Sequence, residues 1–405
     1  MTVKVLLATT VRWPSAARLA GAFAAVGCTV EALLPAGHPA AKSCYLSRVH
    51  LYRPMAGPVS FLEGVGQSQT DFVVALDDRA TALLLRAQKR ATAAVAALIC
   101  RSLGNTNHYA QLMSRNGFIA AARQANIRTP LTHAILSETD LEHALDEIGL
   151  PAVLKADGTW GGDGVMVVHD RNEAFNTWRK LSSAPSLLRS AVRAIRRSDA
   201  HFLQAALGAK APAISMQQFI PGKPATTSFA CWQGKILAAN HLETLAAQEE
   251  NGPASVLRRI EDNAMDEAAA RLAARFELSG LHGLDYIRDA EGRAHLIEIN
   301  PRSPQTSYLS FGAGHDLVSA LVARIDGQAR APRPPIACDT VALFPQEWMR
   351  DPLSPYLTGT FHDVPWDDPA MIRAWMQSQQ GRPALEKWRA FMANSPQGAQ
   401  LTAQS

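Results

Sequence analysis

The 405-residue sequence lacks the short motifs that announce most nucleotide-binding and hydrolytic sites. It has no Gly-x-x-x-x-Gly-Lys-Ser/Thr phosphate loop, no Gly-x-Gly-x-x-Gly dinucleotide turn, no His-Glu-x-x-His and no Gly-x-Ser-x-Gly. Cysteine is sparse. Cys28, Cys44, Cys100, Cys231 and Cys338 stand far apart with no Cys-x-x-Cys pair, which argues against a zinc site or a disulfide framework and for reduced thiols. No apolar run approaches the roughly 18 residues needed to cross a bilayer, the longest candidate being the alanine-rich stretch from Ala91 to Cys100. The net charge of +4 is too small and dispersed to imply nucleic acid. The one concentrated patch, Arg189, Arg193, Arg196 and Arg197, lies on a helix-like segment with Leu188, Val192 and Ile195 inward, and reads as a solvated face.

The amino terminus carries the outline of an export signal, Val5 to Val11 followed by Ala25-Val26-Gly27-Cys28, but Arg12, Trp13-Pro14 and Arg18 interrupt the apolar core such a signal needs. A cytoplasmic first strand is expected, with no membrane span. At 47% apolar and 19% charged residues the chain can form two or three domains with full cores. Val3 to Ala8, Thr29 to Leu34 and Phe72 to Leu76 read as buried strands. Ser15 is expected to cap a helix through Val26, and a further helix is expected over Ala80 to Arg101. This alternation implies a small parallel sheet with helices. Met265 to Glu277 reads as a helix, Ala331 to Pro335 as a linker, and Asp368 with Pro369 as a helix start in a tail to about Ala393 that holds Trp366, Trp375 and Trp388 as core residues.

Most informative is Leu281 to Arg302. Leu284 to Arg288 and Ala294 to Asn300 are short β-like runs, and Asp289-Ala290-Glu291-Gly292 is turn chemistry, so the segment predicts a hairpin. A two-residue loop at Glu291 and Gly292 sets Asp285 directly across from Glu298, a register that a bulge at Gly292 would loosen. Strand alternation then points Glu298, Asn300 and Arg302 one way, and Ile297 and Ile299 into the apolar layer behind. Like charges facing each other destabilise a sheet. A hard divalent cation offsets that repulsion, with Asn300 completing an oxygen shell that suits Mg2+ or Mn2+ and substrate phosphates. The bland alternative is a solvated hairpin.

A second feature lies upstream. Ala152 to Ala156 and Val165 to Val168 are two strands joined by a loop with Gly158, Gly161, Gly162 and Gly164, whose backbone can approach phosphate, and Lys155 at the end of the first strand supplies a point charge. His241 and Glu243 sit beyond the next segment and are not assigned a catalytic part.

In this order the residues resemble the ATP-grasp superfamily. The matching parts are Lys155, the loop Gly158 to Gly164, the hinge Met216-Gln217-Gln218-Phe219-Ile220-Pro221-Gly222, then Asp285 and Glu298-Ile299-Asn300-Pro301-Arg302; together they cover about Asn105 to Arg330. The resemblance implies a Rossmann-like amino-terminal domain (1–110), an ATP-grasp domain (111–330, lid about 129–216) with a helical insertion over Trp178 to Ala211, and a carboxy-terminal extension (331–405), in an α/β and α+β architecture. It implies ATP as co-substrate, bound by Arg115, Lys155, Gly161, Gly162, Gly164, Gln217, Gln218 and Ile220. Asp285, Glu298 and Asn300 would hold Mg2+, and Arg302 and Lys155 would be catalytic. Two positions depart from the family pattern. Gln217 stands where glutamate is usual, its amide oxygen able to accept from the adenine amino group, and Ser114-Arg115 stands where many members carry lysine.

The implied activity is a ligase that activates a carboxylate as an acyl phosphate and joins it to an amine. Arg302 would grip the acid, and the closed lid, with Trp160 inside it, would exclude water. The expected partners are small-molecule carboxylates and amines, with no nucleic acid, and homo-oligomerisation stays open. Carboxylation through bicarbonate and a non-catalytic nucleotide-binding module are the alternatives.

Overall fold

The computed structural model describes residues 2–157, 164–182, 212–249 and 252–378. Near-continuous apolar runs in β1 (Lys4–Ala8), β2 (Thr29–Pro35) and β4 (Phe72–Ala75) form a parallel sheet that the more polar β3 (Leu46–Tyr52) extends, in the order β3-β2-β1-β4. Val5 and Leu7 pack with α1 (Ser15–Ala25). Leu6 and Ala8 pack on the opposite side with α2 (Gly57–Ser68), α3 (Asp78–Gln88) and α4 (Ala93–Leu103). Burial on both faces is what the runs encode. The strand order reverses between β1 and β4, so a crevice opens beyond their carboxyl ends.

Three expectations need correction. Pro14, not Ser15, occupies the cap position of α1 and makes no side-chain cap bond, Ser15 being the first helical residue. The helix expected over Ala80 to Arg101 is two: Asp77 caps α3 by accepting from the Ala80 N–H at 2.9 Å, and a new helix starts after Thr92, whose hydroxyl accepts from Val95. β3 was not foreseen, because it is an edge strand with Ser47, Arg48 and Val49 all exposed.

α5 (Tyr109–Leu112) and α6 (Arg115–Gln124) lead into a smaller sheet of β5 (Thr132–Ile135), β6 (Ala152–Ala156), β7 (Val165–Val168) and β8 (Ile214–Gln218), ordered β5-β8-β6-β7. Ala152, Leu154, Ile214 and Met216 pack with α7 (Glu138–Ile148) and α8 (Arg171–Ser182). By alternation Val153, Lys155, Ser215 and Gln217 share the other face. β6 and β7 have the residue limits expected from sequence.

The large sheet comprises β9 (Lys223–Trp232), β10 (Lys235–Ala247), β11 (Ala254–Ile260), β12 (Gly280–Arg288), β13 (Ala294–Asn300), β14 (Thr340–Leu343) and β15 (Phe361–Asp363), ordered β13-β12-β9-β10-β11-β14-β15. Ala225, Phe229, Leu284 and Tyr286 bury one face under α9 (Asn263–Arg275). The other face carries Ala230 and Leu242, in one core with α1 and α10 (Leu317–Asp326). Residues 340–363 thus extend this sheet, and 331–335, without regular structure, are pinned where the Arg333 guanidinium forks onto Asp316.

After α11 (Gln346–Arg350) and α12 (Tyr356–Gly359), α13 (Pro369–Ser378) starts on Pro369 as expected. The Asp368 carboxylate, however, accepts from Ser43 and the Cys44 N–H. Trp375 is buried and Trp366 packs on the same core, while Trp388, the arginine patch and the 183–211 part of the expected insertion lie outside the described residues. Asp363 joins distant parts of the chain by accepting from Arg18 and from Tyr308. Among the described residues no helix is long and apolar enough to cross a membrane.

Candidate nucleotide and metal site

β12 and β13 do set Asp285 opposite Glu298, by a different route from the one expected. Gly292 N–H donates to the Asp289 carbonyl at 3.0 Å and Asp289 N–H to the Arg293 carbonyl at 3.1 Å, so the loop is three residues, Ala290 to Gly292. Gly292 closes it at φ +78°, a left-handed position that favours glycine. This longer loop shifts the register by one residue. A bulge at Ile297, between the pairs Asp285–Glu298 and Tyr286–Leu296, shifts it back. The bulge corrects one assignment: Leu296 and Ile299 enter the core behind the sheet, whereas Ile297 is half-buried and joins neither core.

Asp285, Glu298, Asn300 and Thr226 share a face. In the adjacent row Leu284, Thr227 and His241 lie together on the opposite face. His241 there bonds Thr227 and Asp266, and Glu243 bonds Arg258 and Arg288, so both are structural groups turned away from the site. Asn300 donates to Asp285 at 2.8 Å and accepts from Arg302 at 2.7 Å, so its amide oxygen is turned to the guanidinium. Burial first, then the Glu298 charge, push the Asp285 carboxyl up to about 6, against hydrogen bonds from Asn300 and Thr226.

The two crowded carboxylates fit a divalent cation that takes its remaining oxygens from phosphate, and Asn300 could join them only by turning its oxygen away from Arg302. Among the described residues no group of three or more His, Cys, Asp or Glu is placed to hold a metal by itself.

The small sheet contributes Lys155 and Gln217 from its inner face. Lys155 is 6% exposed and donates to the Gln217 amide oxygen at 2.7 Å, while the Gln217 nitrogen donates to Thr132 at 3.0 Å. The oxygen that the family resemblance would direct at adenine is thus engaged by Lys155. Burial, opposed by Glu298 and reinforced by Arg115, lowers the Lys155 pKa to about 8. Gln218 is exposed and its side chain accepts from Leu131 at 3.4 Å, and Ile220 is half-buried.

Arg115 begins α6 after Ser114, which caps it by accepting from Gly117. Its guanidinium spans the two sheets, donating to the Ala156 carbonyl at 2.6 Å and to Glu298 at 3.4 Å, with Asp157 at 3.8 Å. Gly164, at φ +84°, receives the Ala156 N–H at 2.9 Å and fixes one stem of the glycine-rich loop. Gly158, Trp160, Gly161 and Gly162 lie outside the described residues.

Sequence reasoning missed Asp157, Thr226 and, above all, Asp78, whose carboxylate lies 3.4 Å from the Arg302 Nε. An aspartate pair directly after the fourth strand of a parallel sheet was the available signal.

Residues 190–307 match the family model described as an ATP-grasp domain. No curated protein sequence matches the chain. Solved structures do match in fold. The biotin carboxylase domain of 2-oxoglutarate carboxylase from Hydrogenobacter thermophilus, in complex with MgADP, ADP and bicarbonate, has TM-score 0.59 and 14% identity over 83% of this chain and 71% of that one. N5-carboxyaminoimidazole synthetase from Staphylococcus aureus has TM-score 0.55 and 11% identity over 81% and 79%. N5-carboxyaminoimidazole ribonucleotide synthetase from Thermus thermophilus has TM-score 0.55 and 14% identity over 81% of each chain. With two sheets facing each other across Lys155, Asp285 and Glu298, behind a parallel amino-terminal sheet, the chain has the ATP-grasp fold, and its residues 190–307 match the ATP-grasp domain model.

Proposed function

We propose that the chain is an ATP- and Mg2+-dependent, ADP-forming ligase that activates a carboxylate and joins it to an amine. The observation carrying this reading is one shared face on which Asp285 and Glu298 oppose each other beside Asn300 and Arg302, across from the buried Lys155 ammonium. Asp285 and Glu298, with Asn300, would hold magnesium, which supplies positive charge between the terminal phosphate and the approaching acid. Lys155 and Arg115 screen the phosphates, and Arg302 orients the acid. A carboxylate oxygen attacks the γ-phosphorus as the bond to ADP breaks; the amine then attacks the acyl carbon, phosphate leaves and the amine loses a proton. The site is assembled by positioning rather than by a nucleophilic side chain. The five free cysteines suit a cytoplasmic setting.

Carboxylation is the second reading, favoured by the bicarbonate and carboxyaminoimidazole named for the fold relatives. A paired screen of small carboxylates, bicarbonate and amines, reading ADP and phosphate release with mass detection of product, tests both. Amide formation supports the ligase, bicarbonate-dependent ADP release with a carboxylated product supports the alternative, and ATP binding without ADP under every pair would leave only a nucleotide-binding module.

A further inference from the structure

Asp77 and Asp78 are neighbours with unequal surroundings. The Asp77 carboxylate accepts from the Thr9 hydroxyl at 2.8 Å, the Thr10 N–H at 2.6 Å, the Thr10 hydroxyl at 2.8 Å and the Ala80 N–H at 2.9 Å, so its acceptor capacity is used in tying β1 to α3. Asp78 has the Arg302 guanidinium beside it, and its Oδ1 is buried without a hydrogen bond. Both side chains of this pair remain reachable, Arg302 at 23% and Asp78 at 32% exposed. Asp78 opens the helix that follows β4, and the Arg302 loop bonds to the carboxyl end of that strand, the side of an open parallel sheet on which ligands bind.

The backbone around the pair is fixed. Ser303 N–H donates to the Ala75 carbonyl at 2.9 Å and the Thr81 hydroxyl donates to the Pro301 carbonyl at 2.9 Å, so the Arg302 loop is clamped onto the end of β4 and the start of α3. Desolvation raises the Asp78 pKa, Arg302 opposes it, and the negative charges of Asp77 and Glu298 add to it.

We propose that Asp78 and Arg302 form a receptor for a zwitterion, Arg302 taking the carboxylate and Asp78 the ammonium of one α-amino acid, so that the acid activated at this site is an amino acid. A zwitterion carries its opposite charges one carbon apart. It can exchange partners with an existing ion pair without leaving either side chain unpaired, whereas an acid without an amino group draws Arg302 away and strands Asp78. Asp78 is a specificity residue that contacts substrate without taking part in bond making. This rests on the ligase reading above.

The test compares wild type with Asp78→Asn and Asp78→Glu, with melting curves checking the fold. ADP formation is measured with the proteinogenic amino acids and, for each that acts, its deamino analogue. Wild type should favour the amino acid, and Asp78→Asn should lose about tenfold of that preference through KM rather than kcat, as expected for one charge-assisted hydrogen bond. Asp78→Glu should restore part of it. Unchanged preference in Asp78→Asn, or equal use of both acids by wild type, overturns the proposal. If no acid elicits ADP, the ligase reading fails separately, and calorimetric titration of the same amino acids with MgADP present decides the receptor. Binding to wild type but not to Asp78→Asn upholds it, and no binding to wild type overturns it.

Discussion

Lys155 shows how a single charged residue is tuned by what it lacks. Among the described residues its hydrogen-bond acceptor is the neutral Gln217 amide, in a site where the ammonium is almost wholly buried. Burial disfavours the charged form more than the nearby Glu298 and Asp285 charges favour it, hence the pKa of about 8. Two outcomes follow. Lys155→Met should weaken nucleotide binding about tenfold while leaving the melting temperature nearly unchanged or slightly higher, since it also removes a buried charge; wild-type affinity by calorimetry would make the residue a bystander. The pH dependence has a defined sign. Because the folded pKa lies below the unfolded value of 10.5, the penalty for burying the ammonium is fully present below about 8 and is relieved as pH rises from there towards 10.5. Nucleotide phosphates favour the charged form, so affinity should fall as pH rises above about 8, with proton uptake on binding. Titrations in buffers of differing ionisation enthalpy would detect that uptake. The Lys155–Gln217 contact was not legible in the sequence, because strands 62 residues apart had to be registered before a diagonal pair could be seen.

The hairpin β12–β13 shows what was legible at the level of an element. Alternating residues and turn chemistry identified the strands and the facing carboxylates, yet the register came right through two one-residue departures of opposite sense, in the loop and at Ile297. Local patterns encode period well, but a bulge depends on packing against β9 and the core, which no short window contains. The same limit explains the split of the expected long helix, whose break rests on Thr92 capping a fresh start. The loop offers its own test. Gly292→Ala places a side chain at φ +78° and should cost about 1 kcal/mol in chemical denaturation. Magnesium-dependent nucleotide binding should weaken with it if the loop sets the register of Asp285 and Glu298. Loss of stability with binding untouched would show that the sheet holds the pair by itself.

Across the whole molecule, side chains from distant parts of the sequence converge. Asp363 of β15 receives Arg18 from α1 and Tyr308 from the loop beyond Arg302. Asp363→Asn would leave the Arg18 charge without its counter-ion, and a loss of about 3 kcal/mol is expected, read as a lower melting temperature with the far-ultraviolet spectrum retained. An unchanged melting curve would mean that solvent reaches Arg18. Such long-range pairs are invisible to local reasoning: Asp78 alone reads as an ordinary surface charge, and Arg302 is singled out by its motif but without its partner. Arg115 has a consequence for the sequence of events in solution. Its guanidinium already lies beside Glu298 while holding the carbonyl end of β6. At the proposed site a bare divalent ion would therefore meet a carboxylate pair that is partly neutralised, whereas a nucleotide would offer Arg115 other anions and free Glu298 for the metal. Metal and nucleotide should consequently enter as one complex: titration with magnesium alone should give little heat, and prior addition of ADP should make the ion bind at least roughly tenfold more tightly.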